Sequence, residues 1–143
     1  MKFDFDLAVN SFPVLLVGAL VTIKITAISV ALGVVIGLVV GVARISQVKP
    51  LRLLAMAYID FLRGTPLLVQ IFLIYFALPV ISGQRVDPFF AAITACSINS
   101  GAYVAEIFRS GIQSIDKGQM EAGRSLGMTW LQTMWHIILP QAV

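Results

Sequence analysis

Charge is scarce in this sequence. Asp, Glu, Lys and Arg make up 12% of its 143 residues, against about 25% in a typical soluble domain, which excludes a fold that is wetted on every side. Cysteine is nearly absent as well. Cys96 stands alone inside an apolar run, so the chain builds neither an internal disulfide nor a cysteine-based metal or redox site, and Cys96 is read as a small packing residue. No basic stripe with interleaved aromatics is present. The formal charge of +3 comes largely from one connection, a bias that sets membrane topology rather than nucleic-acid binding. The opening "MKFDFDLAVNSFP" lacks a basic leader and a small-residue cleavage site, so no removable signal peptide is expected and the first span should direct its own insertion. Nothing here calls for a metal or an organic cofactor.

Hydrophobic residues, by contrast, reach 59% and fall in long runs rather than alternating with polar ones. Inside lipid only helices and closed barrels satisfy the backbone, and runs of this kind specify helices. The expected class is therefore an all-α integral membrane protein, one domain over residues 1–143.

Phe12 to Ala43 is almost continuously apolar. At about 1.5 Å per residue that is roughly 48 Å of helix, more than the roughly 30 Å hydrocarbon core holds. With Arg44 at the inner boundary, a span over 24–43 places Lys24 at the outer interface as a snorkelling side chain. Phe12 to Ile23 then lies along or just above the outer surface. Within the span Ser29, Gly33, Gly37 and Gly41 recur every four residues and form one small-residue face on which another helix can pack closely. Arg44, Lys49, Arg52 and Arg63 oppose only Asp60 between Arg44 and Thr65, which marks this connection as cytoplasmic and the N-terminus as outside.

A second span is expected over 66–82, with Thr65 as N-cap and Pro66 in the first helical position, followed by a tight outer loop at "SGQRVDP". The third covers 88–109. On it Ala92, Ala95, Asn99, Tyr103, Glu106 and Ser110 share a polar or small stripe, and Phe90, Ser97, Gly101, Val104 and Phe108 share the opposite side. A carboxylate on a span must face protein, water or a partner charge. Glu106 either pairs with Arg109 at i,i+3, or joins Asn99 and Tyr103 in a polar path for a solute, and both can hold together.

Residues 110–128 read as a cytoplasmic segment. Asp116 can cap a helix whose third residue is Gln119, and Gly127 can end it in the left-handed conformation. Thr129 and Gln132 form a capping box for the next helix, where Pro140 removes a donor to the His136 carbonyl and predicts a kink. That helix, 129–143, starts a fourth span which breaks off at Val143, so the sequence is expected to be a fragment. "GQMEAGRS" imitates a phosphate-binding loop, but Arg124 stands where the lysine belongs, Glu121 would face phosphates, and no strand precedes it. ATP hydrolysis by this chain is not expected.

"EAGRSLGMTWLQTMWHIILP" resembles the EAA motif in membrane subunits of bacterial ABC importers. Glu121, Ala122, Gly123, Gly127, Ile137, Leu139 and Pro140 fill the motif's positions, with Gly123 where alanine is commonest. "FLRGTPLLVQIFLIYFALP" and "NSGAYVAEIFRSGIQSIDKGQMEAG" resemble the polar amino acid permease branch, and the similarity runs from about Phe12 to Val143. The resemblance implies a type I permease-like bundle, here three complete spans and the start of a fourth, in a bacterial cytoplasmic (inner) membrane. It implies a non-catalytic subunit that forms half of an amino acid pathway with a second permease subunit, alike or different. The implied partners are cytoplasmic ATPases, docked on the EAA helix, and an extracytoplasmic solute-binding protein that delivers the amino acid. The contact residues would be Gln119, Glu121, Ala122, Gly123, Arg124, Ser125, Gly127 and Met128, and the pathway residues Asn99, Tyr103 and Glu106.

Two other classes fit part of the pattern. An ion-coupled transporter or channel without an ATPase explains Glu106 and the small-residue faces, and a membrane scaffold needs only packing; neither explains the capped helix at 116–127.

Overall fold

The computed structural model describes residues 5–142 of the chain, with side chains from 10 to 142. Met1 to Asp4, part of the segment read for a signal, and Val143 lie outside the described residues. The described residues are mostly helical and contain no strand. Helix α1 is Phe5–Ile45, α2 is Lys49–Gly64, α3 is Leu67–Ser82, α4 is Pro88–Ser114, and α5 is Lys117–Ser125. The last, α6, covers residues 130–142.

The expected glycine face is a helix interface. Ser29, Gly33, Gly37 and Gly41 are all buried, and α1 lies against α4. A methyl added to Gly33 would meet Ser100 Oγ at 2.6 Å, to Gly37 Val104 Cβ at 2.5 Å, and to Gly41 Phe108 Cδ1 at 2.7 Å. Ser29 Oγ donates to the Ile93 carbonyl at 3.3 Å. Because partners on both helices advance together by four residues, α1 and α4 run parallel, so α2 and α3 must carry the chain back between them. The side of α4 bearing Ser97, Gly101, Val104 and Phe108 faces protein, while Phe90 at its start is exposed.

Two expectations change in form. Phe12 to Ile23 is not broken off from residues 24–43 but continues the same helix through Pro13, and residues 10–45 are long and apolar enough to cross a membrane. Lys24 is exposed within that helix. Nor is the Arg44 to Thr65 connection a simple surface loop, since most of it is α2, with Ala55, Ile59 and Leu62 buried. Tyr58 Oη donates to the Ile98 carbonyl of α4 at 2.6 Å, and α2 meets α3 at a 105° bend.

Thr65 is not the N-cap of α3. Its hydroxyl donates to the Phe61 carbonyl at 2.9 Å and closes the end of α2, while Pro66 takes the extended cap position with φ −62° and ψ 135°. The chain turns tightly after α3, with Gly83 at φ 70°, and Asp87 caps α4 by accepting from the backbone N–H of Phe89 at 2.9 Å.

Both prolines inside the later helices follow a π turn at the same offset. Leu73–Ala77 precedes Pro79, and Met134–Ile138 precedes Pro140. In each, the residue before proline bonds back five positions, Leu78 to Leu73 and Leu139 to Met134. The wider turn moves aside the carbonyl that the proline ring would strike, and this is the form that the expected disturbance at Pro140 takes.

Candidate functional site

The polar stripe of α4 is assembled by the bend between α2 and α3. Gln70, buried on α3, donates through Nε2 to the Leu62 carbonyl at 2.9 Å and to Thr65 Oγ1 at 2.9 Å, so one side chain ties both helix ends together. Its Oε1 accepts from Asn99 Nδ2 at 3.1 Å. These contacts satisfy both amides in a half-buried setting, where an unpaired amide is costly.

Two turns along α4, Glu106 forms the i,i+3 pair. Arg109 donates to its carboxylate from Nε at 3.0 Å and from Nη2 at 2.5 Å, a two-point clasp suited to a planar guanidinium. Arg63 Nη1 lies 3.9 Å from the same carboxylate, and its guanidinium sits 5.4 Å from the centroid of the half-exposed Tyr103 ring, within cation–π range. Arg109 also reaches Gln113. The structure therefore brings Tyr103 and Glu106 together around Arg63 and places Asn99 one layer away, on Gln70. Composition had singled out neither Arg63 nor Gln70 as part of this cluster. The available signal was the "RGTP" break, which points the end of α2 at α4.

At the other candidate region, α5 and α6 form an antiparallel hairpin. Asp116 caps α5 by accepting from the Gly118 N–H at 2.6 Å. The helix closes with the Gly127 N–H on the Arg124 carbonyl at 3.0 Å and the Met128 N–H on the Gly123 carbonyl at 3.2 Å. That double bond pattern needs a left-handed residue between helix and exit, and Gly127 supplies it at φ 83°. Thr129 and Gln132 then complete the capping box. Gln141 Nε2 reaches Gln119 Oε1 at 3.5 Å, so the far ends of the hairpin are also side by side.

Gln119, Glu121, Ala122, Arg124, Ser125 and Gly127 are exposed on this hairpin, and Met128 is half-buried. Gly123 is the exception. It is buried against α6, where an added methyl would stand 2.6 Å from Thr133 Cγ2 and 2.9 Å from its Oγ1, so it is a packing position and not a surface contact. Leu126, absent from the sequence-derived set, is 81% exposed at the hairpin tip. Its signal was a leucine beside the terminating glycine. The phosphate-loop look-alike at Gly118 to Ser125 lies on α5 itself and offers no loop to wrap a phosphate. At its other end α6 returns to the bundle, where a methyl on Gly111 of α4 would stand 2.9 Å from the Ala142 carbonyl.

Comparison with known proteins gives one family match and several close relatives. The sequence model of a family described as "Binding-protein-dependent transport system inner membrane component" matches residues 33–143. The arginine transport system permease protein ArtQ of Bacillus subtilis (strain 168) is 42% identical over 142 residues, 99% of this chain and 65% of that protein. The L-cystine transport system permease protein TcyB of the same strain is 45% identical, over 96% of this chain and 59% of that protein. The chain thus spans about three fifths to two thirds of the length of these curated relatives. Among solved structures, an amino acid ABC transporter crystallised with histidines matches with a TM-score of 0.92 and 46% identity, covering 99% of this chain and 66% of that one. An inward-facing MetNI methionine ABC transporter matches with a TM-score of 0.73 and 26% identity, covering 93% of this chain and 64% of that one. The all-α arrangement described above is accordingly that of an ABC importer permease.

Proposed function

The chain belongs to the family of binding-protein-dependent transport system inner membrane components, and from that premise we propose that it is the permease subunit of an ATP-driven importer of a polar amino acid. It forms half of the membrane pathway beside a second permease subunit, receives its substrate from an extracytoplasmic binding protein, and couples to a cytoplasmic ATPase through α5. The spans are 24–43, 66–82 and 88–109, with 129–143 entering a fourth, and the N-terminus faces out.

One observation carries the coupling assignment. The α5–α6 hairpin exposes Glu121, Arg124 and Leu126 at its surface, yet its two helices are locked together through Gly123 on Thr133, and α6 is tied into the bundle through Ala142 on Gly111. A push on such an element is passed on and not absorbed, because closely packed contacts move as units. The charged pair and an exposed apolar side chain beside it suit a protein groove. Orientation is supported by charge: the ends of α1 and α4 lie together, and Arg44, Lys49, Arg52 and Lys117 collect there, as expected for a cytoplasmic side.

For the pathway, Asn99, Tyr103 and Glu106 remain the assigned residues, now with Arg63 and Arg109 around the carboxylate. Two guanidiniums against one carboxylate leave net positive charge for a substrate carboxylate, while Glu106 offers an acceptor to the ammonium group. Every amino acid carries both groups, so this cluster speaks to the class and not to the side chain.

The test is Glu121→Arg in the assembled transporter, reconstituted in vesicles with ATP inside and the binding protein outside. Uptake should collapse while the amount of inserted, folded permease is unchanged. Unaltered ATP-driven uptake would remove α5 from the coupling path, and uptake that follows an ion gradient without ATP would establish the ion-coupled alternative.

A further inference from the structure

Three helices converge at the basic end of the molecule without closing on one another. The end of α1 contributes Arg44 and Ile45, α2 contributes Arg52 and Met56, and α4 contributes Ile112 and Gln113, around an open cavity of about 490 Å³. Among the described residues the ion pairs join Glu106 to Arg63 and Arg109, and none reaches Arg44 or Arg52. The nearest charge along α2, Lys49, adds to the same sign, and the acid of that helix, Asp60, lies two turns beyond Arg52.

Beside the arginines the lining is three apolar side chains and Gln113, whose amide oxygen is already bonded to Arg109. Ile45, Met56 and Ile112 offer hydrocarbon beside the guanidiniums. Two guanidiniums above an apolar wall match a group that is anionic at one end and oily at the other. A guanidinium presents paired donors to phosphate oxygens, and basic pockets between helices at the cytoplasmic boundary suit acidic headgroups.

We infer that this cavity is a binding site for an anionic phospholipid of the inner leaflet, its phosphate held by Arg44 and Arg52 and its acyl chains lying along Ile45, Met56 and Ile112. The inference rests on the proposed cytoplasmic placement of this end of the bundle. A bound lipid here would link α1, α2 and α4 where α2 begins its crossing. A free phosphate ion or an acidic side chain of a partner subunit would use the arginines but leave the apolar wall without a purpose, so the lipid is the occupant that accounts for both the arginines and the apolar residues.

The experiment uses the full-length permease in its assembled complex, extracted gently and examined by native mass spectrometry and by thermal unfolding. Wild type should retain phosphatidylglycerol, and added short-chain phosphatidylglycerol should raise the unfolding temperature while phosphatidylcholine and inorganic phosphate do not. Arg44→Gln with Arg52→Gln should weaken retention by about fivefold per arginine removed. Because removing two boundary cations can disturb insertion, Arg44→Lys with Arg52→Lys serves as a second variant: it keeps the topology signal, loses the paired-donor geometry, and should show an intermediate loss. Arg85→Gln, in the opposite loop, should retain lipid as wild type does. Equal lipid retention in all variants overturns the inference, as does stabilisation by inorganic phosphate alone, or loss of the ATPase in place of lipid. Labelling of Ser46→Cys from either side of the vesicle fixes the orientation separately, so a failed placement is told apart from a failed site.

Discussion

Replacing Gly123 by alanine tests how tightly the hairpin is joined. The new methyl would lie 2.6 Å from Thr133 Cγ2, 2.9 Å from Thr133 Oγ1 and 3.1 Å from Ile137 Cδ1, whereas carbon atoms in good contact sit about 3.5–4.0 Å apart. About 1 Å has to be found. The end of Ile137 can swing, but Thr133 is fully buried, at 0% exposure. Its β-branched side chain is stiff, and its hydroxyl is committed to the Thr129 carbonyl at 3.1 Å. Overpacking of this kind costs about 1–3 kcal/mol, offset by up to about 1 kcal/mol from the better helix propensity of alanine. The expected net loss is about 1–2 kcal/mol. Thr133→Ala removes both of the nearest atoms and alone costs about 1 kcal/mol, for a buried methyl and one hydroxyl bond. In the double variant the two changes should compensate, leaving it about 1–2 kcal/mol more stable than additivity predicts. Gly18→Ala is the control, since nothing lies within 4 Å of its added methyl and only the propensity gain should appear. The assay is denaturant unfolding of the full-length wild type and the four variants in one detergent. Additive single effects, or a Gly123→Ala protein as stable as the Gly18→Ala control, would refute the close approach of α5 to α6.

Gly37→Ala should cost about 1–3 kcal/mol, because its methyl would fall 2.5 Å from Val104 Cβ and 2.9 Å from the Gly101 carbonyl; the same unfolding assay would contradict the α1–α4 packing if no loss appeared. Gly127→Ala forces a methyl-bearing residue to φ 83°, at a cost of about 1–2 kcal/mol. Amide exchange over 117–128 should quicken by about tenfold, and unchanged protection would mean that the turn is not left-handed. Gln70→Leu removes the side chain that bonds Leu62, Thr65 and Asn99 and leaves Asn99 short of its acceptor, at about 1–3 kcal/mol; a neutral result would show that the bend does not depend on this amide.

The legible parts of the molecule are those with a local cause. Small residues at 29, 33, 37 and 41 have one way to lie on a helix, and their burial follows whatever the partner is. The hairpin was equally plain, because Asp116, Gly127, Thr129 and Gln132 act through bonds spanning two or three residues. Glu106 with Arg109 is of the same local kind. Gly123 was legible as a motif position but not as a packing one, since its reason is Thr133, ten residues away on another helix.

What escaped sequence reasoning depends on tertiary placement. The Lys49 to Gly64 stretch carries charges typical of a surface connection, yet it places Ala55, Ile59 and Leu62 in the interior. The cause lies outside the stretch. Once α1 and α4 pack in parallel through the glycine face, the chain between them has to return across the same thickness, and α3 alone is only about 24 Å long at 1.5 Å per residue. Part of the depth has to be covered by α2, whose Tyr58 reaches Ile98 at mid-α4. The 105° bend then leaves backbone groups at Leu62 and Thr65 that lipid cannot satisfy. Gln70 takes up those carbonyls, and Asn99 takes up Gln70. The polar stripe of α4 is therefore explained in its upper half by the parallel packing of two apolar helices, before any solute is considered. Only its lower half, around Tyr103, Glu106 and the two arginines, holds more charge than the fold requires.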